Sequence, residues 1–253
     1  DSHWFWNTGS GDMGNLGVHQ IDDCIFALGY NDYPENVTFI GERFAVDDNA
    51  QTPNTNFAIF DYKPVPIIIE IRNLPRKKGM RAVDHYRRTR MGNIIQCRDG
   101  YFAGGRGGGW VYDNDDNKVK QFPGDGGERH MKNFIDAVRS RKQSDLQAPI
   151  FGGTLSAGLC HIANISYRIG QKASPDKIRA QIGSHPEVQK TFDNIVEHLK
   201  ANEIDLEQTP LTLGAGLKFD LKQRRFIGTD EADLANHFIR RRYREPFVIP
   251  NSV

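Results

Sequence analysis

Asn15, His19 and Asp22 recur at i, i+4 and i+7, the spacing that lines side chains along one face of an α-helix. An amide, an imidazole and a carboxylate in one row can hold hydroxyl groups and move a proton, which is acid–base chemistry on an alcohol or carbonyl. Gly9, Gly11, Gly14 and Gly17 run into this row, and glycine lets backbone or ligand come close because no side chain intervenes. Trp4 and Trp6 lead the segment, and an indole face can stack on the apolar side of a sugar ring or pack into a core. A second row, His161, Asn164 and Arg168 at i, i+3 and i+7, offers further substrate contacts. The commoner role of buried groups such as His161 and Asn164 is a satisfied polar contact between helix and sheet.

The elements that must position these residues follow from hydrophobic periodicity. Val18, Ile21, Ile25 and Leu28 form the apolar stripe of a helix that starts near Asn15 and ends at Gly29. A strand-rich half follows: 37–44, then 57–62 and 67–71, the last apolar on both sides and therefore expected at the centre of a sheet. Hairpins are expected at 93–103 around Asp99-Gly100 and at 110–122 around a polar turn, with 104–109 as a glycine-rich surface loop. Later helices are marked by Met131, Phe134, Ile135 and Val138; by Leu155, Leu159, Ile162 and Ile165; and by Pro175 and Pro186 at helix starts. A late hairpin at 217–227, a helix over 230–241 and an extended tail at 244–250 close the chain. Strands joined by short turns, followed by helices, give an α+β class: a large open, mostly antiparallel sheet with helices packed on one face. In this reading 1–253 is one domain.

Composition removes several function classes. The 253 residues carry 33 Lys and Arg against 32 Asp and Glu, so no basic field exists to draw in nucleic acid. The longest apolar run, 65–71, is too short to span a bilayer, so no membrane role is expected. No signal peptide is visible; the location in the cell stays open, the cytoplasm by default or the periplasm if an export signal precedes the chain. Three widely spaced cysteines without a C-x-x-C read as core residues, and no His/Cys cluster has metal-ligand spacing. The glycines at 104–109 lack the G-x-G-x-x-G spacing and the helix that a dinucleotide needs. Asp113-Asn114-Asp115-Asp116-Asn117 starts like a calcium loop, but Lys118 and Gly124 stand where glycine and glutamate belong.

From Gly11 to Asp22 the chain resembles the G-x-x-x-D-x-G-x-H-x-x-D signature that opens the C-terminal domain of the glucose–fructose oxidoreductase/inositol dehydrogenase (Gfo/Idh/MocA) family. Gly17, His19 and Asp22 match it, and Asn15 stands where many members carry Asp. The stretches Thr52-Pro53-Asn54-Thr55, 159–168 and 243–247 are similar to one bacterial branch of that family, so the resemblance covers nearly the whole chain. It implies an α+β substrate and oligomerisation domain without the family's dinucleotide-binding half.

The activity implied is hydride transfer between nicotinamide and a carbinol or carbonyl carbon of a sugar, polyol or related molecule. His19 would be the catalytic base or hold the substrate hydroxyl. Asn15 cannot ionise, so it would orient the substrate or His19 without raising the basicity of the imidazole. Trp4, Trp6, Asp22, His161 and Asn164 are the substrate-contact candidates. NAD or NADP would serve the full-length enzyme, with none expected on this chain alone. The resemblance also implies a homodimer or homotetramer paired through the open sheet face. Two other roles share the same residues: a nicotinamide-using enzyme of this family that cleaves glycosides, and a non-catalytic oligomerisation domain.

Overall fold

The computed structural model describes residues 2–240 and 243–248. Its centre is a five-stranded antiparallel sheet in the order β3-β2-β1-β9-β8. The strands are β1 Val37–Glu42, β2 Thr55–Phe60, β3 Ile67–Arg72, β8 Gln171–Ala173 and β9 Leu211–Leu213. A separate meander, β4 Asn93–Cys97, β5 Gly100–Gly105, β6 Gly108–Asp113 and β7 Lys118–Pro123, forms a four-stranded sheet, and β10 Lys218–Asp220 pairs with β11 Arg225–Ile227. The helices are α1 Val18–Leu28, α2 His130–Ser140, α3 Ile150–Arg168, α4 Pro175–Gln181, α5 Pro186–Ala201 and α6 Ala232–Asn236. Mixed helices and antiparallel sheets bear out the α+β class.

The helical cover differs from the expectation of one covered face. Alternate residues of each strand enter two cores on opposite sides of the central sheet. Phe39, Ala58, Phe60 and Ile69 pack with Ile21 and Ile25 of α1 and Leu155, Leu159 and Ile162 of α3. Ile40 and Phe57 pack with Ile178 of α4 and Phe192, Ile195 and Leu199 of α5. This also corrects the place of Ile67–Arg72, which is an edge strand, not a central one. Its apolar residues on both sides reflect helices above and below, not strands to left and right.

Three further details depart from the sequence reading. Residues 104–109 are the ends of β5 and β6 joined by a tight turn at Arg106-Gly107, not a loop. The last helix is confined to Ala232–Asn236, and the ends of the expected helix, at 241, and of the expected tail, at 249–250, lie outside the described residues. The expected stripe of α2 is present but faces outward: Met131, Phe134, Ile135 and Val138 are all exposed, and no residue of this helix is buried. β7 is likewise exposed along its whole length. No helix of the described residues is long and apolar enough to cross a membrane.

Candidate active site

The first helix begins earlier than the expected Asn15. Residues 11–12 are already helical, and Met13–Gly17 form a π-helical stretch that runs into α1. Such widened turns are rare and are frequent at functional sites. Glycine makes this one possible, since a Cβ on Gly14 would overlap Ser10 Oγ. Gly11 sits at φ +62, and a Cβ there would run into the Thr52 side chain, so the position is closed to other residues on both counts.

The π stretch and α1 leave Asn15, His19 and Asp22 exposed, while Ile21 and Ile25 enter the core. Asp22 is held from outside its own helix: Ser156 Oγ of α3 donates to its carboxylate at 2.5 Å. Asn93 of β4 donates from Nδ2 to Asp23 Oδ2 at 3.0 Å, which ties the meander to the same helix. Burial, followed by the neighbouring charge of Asp22, holds the Asp23 carboxyl above its usual range; the Asn93 hydrogen bond and His19 oppose that shift. His19 is an exposed imidazole on the same helix as Asp22 and Asp23. Cys24, next along the helix, is pushed up to about 11 by burial and Asp23, so it offers no ready thiolate.

The remaining candidates lie elsewhere. Trp6 packs against Tyr167, with ring centroids 6.1 Å apart and the rings tilted by 41°, and Arg168 lies over its ring at 5.3 Å. These partners stand at the far end of α3 from Ser156; twelve residues of helix separate the two anchor points by about 18 Å. The carbonyl of Trp4 accepts from the backbone N–H groups of Gln51 and Thr52. The structure thus uses both tryptophans to fasten the N-terminal segment and does not bring Trp6 to Asp22. Asn164 is buried, and its Nδ2 donates to the Ser10 carbonyl at 2.8 Å, fixing the approach to the π stretch. His161 is exposed on α3.

Sequence reasoning missed Ser156 and the buried carboxylate Asp12. Ser156 is a small hydroxyl residue beside the buried Leu155 on the inward side of α3, a signal for a polar partner on a neighbouring element. Asp12 is 2 % exposed and accepts from Asn73 Nδ2. Burial holds its carboxyl above the ordinary 3.8, opposed by Asn73, Arg43 and His3 in that order.

Whether these residues fit a nicotinamide dinucleotide can be tested at Gly9-Ser10-Gly11-Asp12-Met13-Gly14, which has G-x-G-x-x-G spacing at a helix start. A pyrophosphate site needs a preceding strand and free backbone N–H groups at the first helical turn. Here 3-10 and bend residues precede the helix, and the approach to Gly9 is closed by the carbonyls of Ser2 and His3. The approach to Gly11 is closed by Thr52, and Asp12 turns into the interior, where its carboxylate accepts from Asn73. The segment does not fit the pyrophosphate. Among the described residues no group of His, Cys, Asp and Glu is placed to hold a metal ion.

No family model and no curated protein matches the chain. Among solved structures it is similar to a "putative oxidoreductase" from Klebsiella pneumoniae at 15% identity and TM-score 0.45, over 75% of this chain and 54% of that one. It is also similar to the "putative oxidoreductase yvaA" from Bacillus subtilis, at 16% identity and TM-score 0.42 over 62% of this chain and 51% of that one. A "putative oxidoreductase" from Bacteroides fragilis gives 16% and 0.41 over 63% and 50%. The chain spans about half the length of these structures. Likeness of this degree decides neither fold nor activity.

Proposed function

We propose that this chain is the substrate-binding and acid–base part of an oxidoreductase acting on a sugar, polyol or related carbinol. The observation that carries the reading is the exposed Asn15–His19–Asp22 row. It is presented by a π-widened helix start and braced from α3 through Ser156. In this reading His19 takes the hydroxyl proton as the carbinol is oxidised and returns it in the reverse direction. Asn15 and Asp22 hold neighbouring hydroxyls, with an amide able to donate and accept and a carboxylate able to accept. The dinucleotide, NAD or NADP, is bound by a part of the protein other than these residues and supplies the hydride acceptor.

The same reading has two copies of the chain associate. Since both faces of the central sheet are covered, pairing falls to the exposed meander and the outward stripe of α2 rather than to the sheet face expected from sequence.

The test is oxidation of a panel of sugars and polyols by the whole protein with NAD and with NADP, with products identified. His19→Ala is expected to lower turnover by about 10²–10⁴ while leaving the circular dichroism spectrum unchanged. Full activity in that variant would refute the assignment. Cleavage of glycosides in place of net oxidation would move the protein to the glycoside-cleaving alternative.

A further inference from the structure

A cleft of about 630 Å3 opens between the β10–β11 hairpin and the turn that follows α6, well away from His19 in sequence, with Arg224, Arg225, Asp233, His237 and Arg240 on its walls. Its two sides are rigidly joined. Asn236, the last residue of α6, donates from Nδ2 to the Phe226 carbonyl at 3.1 Å and accepts from the Phe226 N–H at 2.8 Å. Phe226 is itself buried against Phe219, edge to face at 5.2 Å. These contacts fix the hairpin backbone against the end of α6, and the side chains of Arg224, Arg225 and Arg240 are exposed along it.

Arg224 stands at φ +54, a left-handed conformation that turns normally give to Gly or Asn. His237 is oriented as well, its Nδ1 lying 2.8 Å from the Asp233 carbonyl and so carrying the hydrogen.

Charge identifies the ligand class. Three guanidinium groups line the cleft against one carboxylate, Asp233, leaving two positive charges in a chain whose whole net charge is only +1. The Asp233 contact is loose, at 3.8 Å from Arg225, with its side chain 92% exposed, so it ties up little of that charge. A carboxylate ligand has two oxygens and one charge, too few for three planar forks. A phosphate group carries about two negative charges and three free oxygens, matching both the charge and the number of forks. Ile239 adds an apolar wall that an organic substituent can cover.

We propose that this cleft binds a phosphate group, either free or as the ester of a small organic molecule. This assignment is independent of the function proposed for the His19 row. The experiment titrates the chain at low salt with inorganic phosphate, glycerol phosphate, acetate and glycerol, followed by calorimetry and by the amide signals of 224–240. Saturable binding of the two phosphates and none of glycerol or acetate is expected. Equal affinities identify free phosphate as sufficient; tighter binding of the ester identifies a phosphoester. Arg240→Gln and Arg224→Gly should each weaken binding by at least about fivefold, the glycine chosen because it accepts the positive φ. Thermal melts of both variants should match the parent. The proposal is overturned if neither phosphate saturates, if acetate binds as well as phosphate, or if folded Arg240→Gln binds like the parent.

Discussion

Asp22 and Ser156, 134 positions apart in sequence, meet in a 2.5 Å hydrogen bond that pins the exposed side of α1 to α3. Because the donor is a hydroxyl and the acceptor a carboxylate, the contact sets the direction of Asp22 without neutralising it. Ser156 also touches the Gly152 carbonyl at 3.1 Å, so it is anchored on its own helix while it reaches across.

Ser156→Ala is expected to lower stability by about 1 kcal/mol, the worth of one such hydrogen bond, read as a shift in the urea midpoint. Under the proposed function it should raise KM for the substrate more than it lowers kcat, since Asp22 would lose its orientation and His19 would stay intact. Unchanged kinetics beside the stability loss would make the bond purely architectural.

Asp12 provides a pH test with a definite sign. The native state holds its proton to a higher pH than the unfolded chain, whose carboxyl titrates near 3.8. Between those two values the unfolded chain has already lost its proton, so folding stability falls as pH rises across that window and then levels off. Asp12→Asn keeps an oxygen for Asn73 but cannot ionise. Its stability relative to the parent should therefore climb from about pH 3.8 upward and reach a plateau. Denaturant unfolding at a series of pH values measures this, and a flat difference would contradict it.

The apolar stripe of α2 carries the oligomer prediction. Met131, Phe134, Ile135 and Val138 are 43 to 66% exposed on one helix, a contiguous apolar stripe of the kind that often serves as a contact surface. Light scattering should give at least twice 28.7 kDa for the parent chain. Phe134→Glu with Ile135→Glu should return it to the monomer without loss of helix signal. A monomeric parent at micromolar concentration would end the idea.

Much of the fold is legible in the residues because period betrays it. The stripes of α1, α3 and α5 and the alternation in β1 each extend over several repeats, enough to specify a face. β8 and β9 are not legible, since three residues cannot display a period, and they join the sheet only through pairing with distant strands. The edge position of β3 is hidden for a different reason. Ile67, Ile68 and Ile69 report burial on both sides, which helices supply as well as strands do. For the candidate site, spacing suggests that Asn15, His19 and Asp22 lie outside the core, and each of them is exposed. The π stretch, by contrast, depends on how Gly14 and Ser10 pack, and Ser156 on which helix lies next door. For the tryptophans the sequence allows either a ligand or packing, and Trp6 packs against Tyr167 with Arg168 over its ring.

The central sheet separates two cores, and β2 feeds both: Ala58 and Phe60 on one side, Phe57 on the other. Neither core can loosen without disturbing the strand that the other depends on. Opening α4 and α5 therefore cannot be a private event on one side of the molecule. The slowest hydrogen exchange should be found at the amides of β1 and β2, with the two helical layers exchanging through one shared cooperative opening. The meander and α2, which share little with either core, should exchange far sooner, as a lightly tethered annex to a double-walled structure.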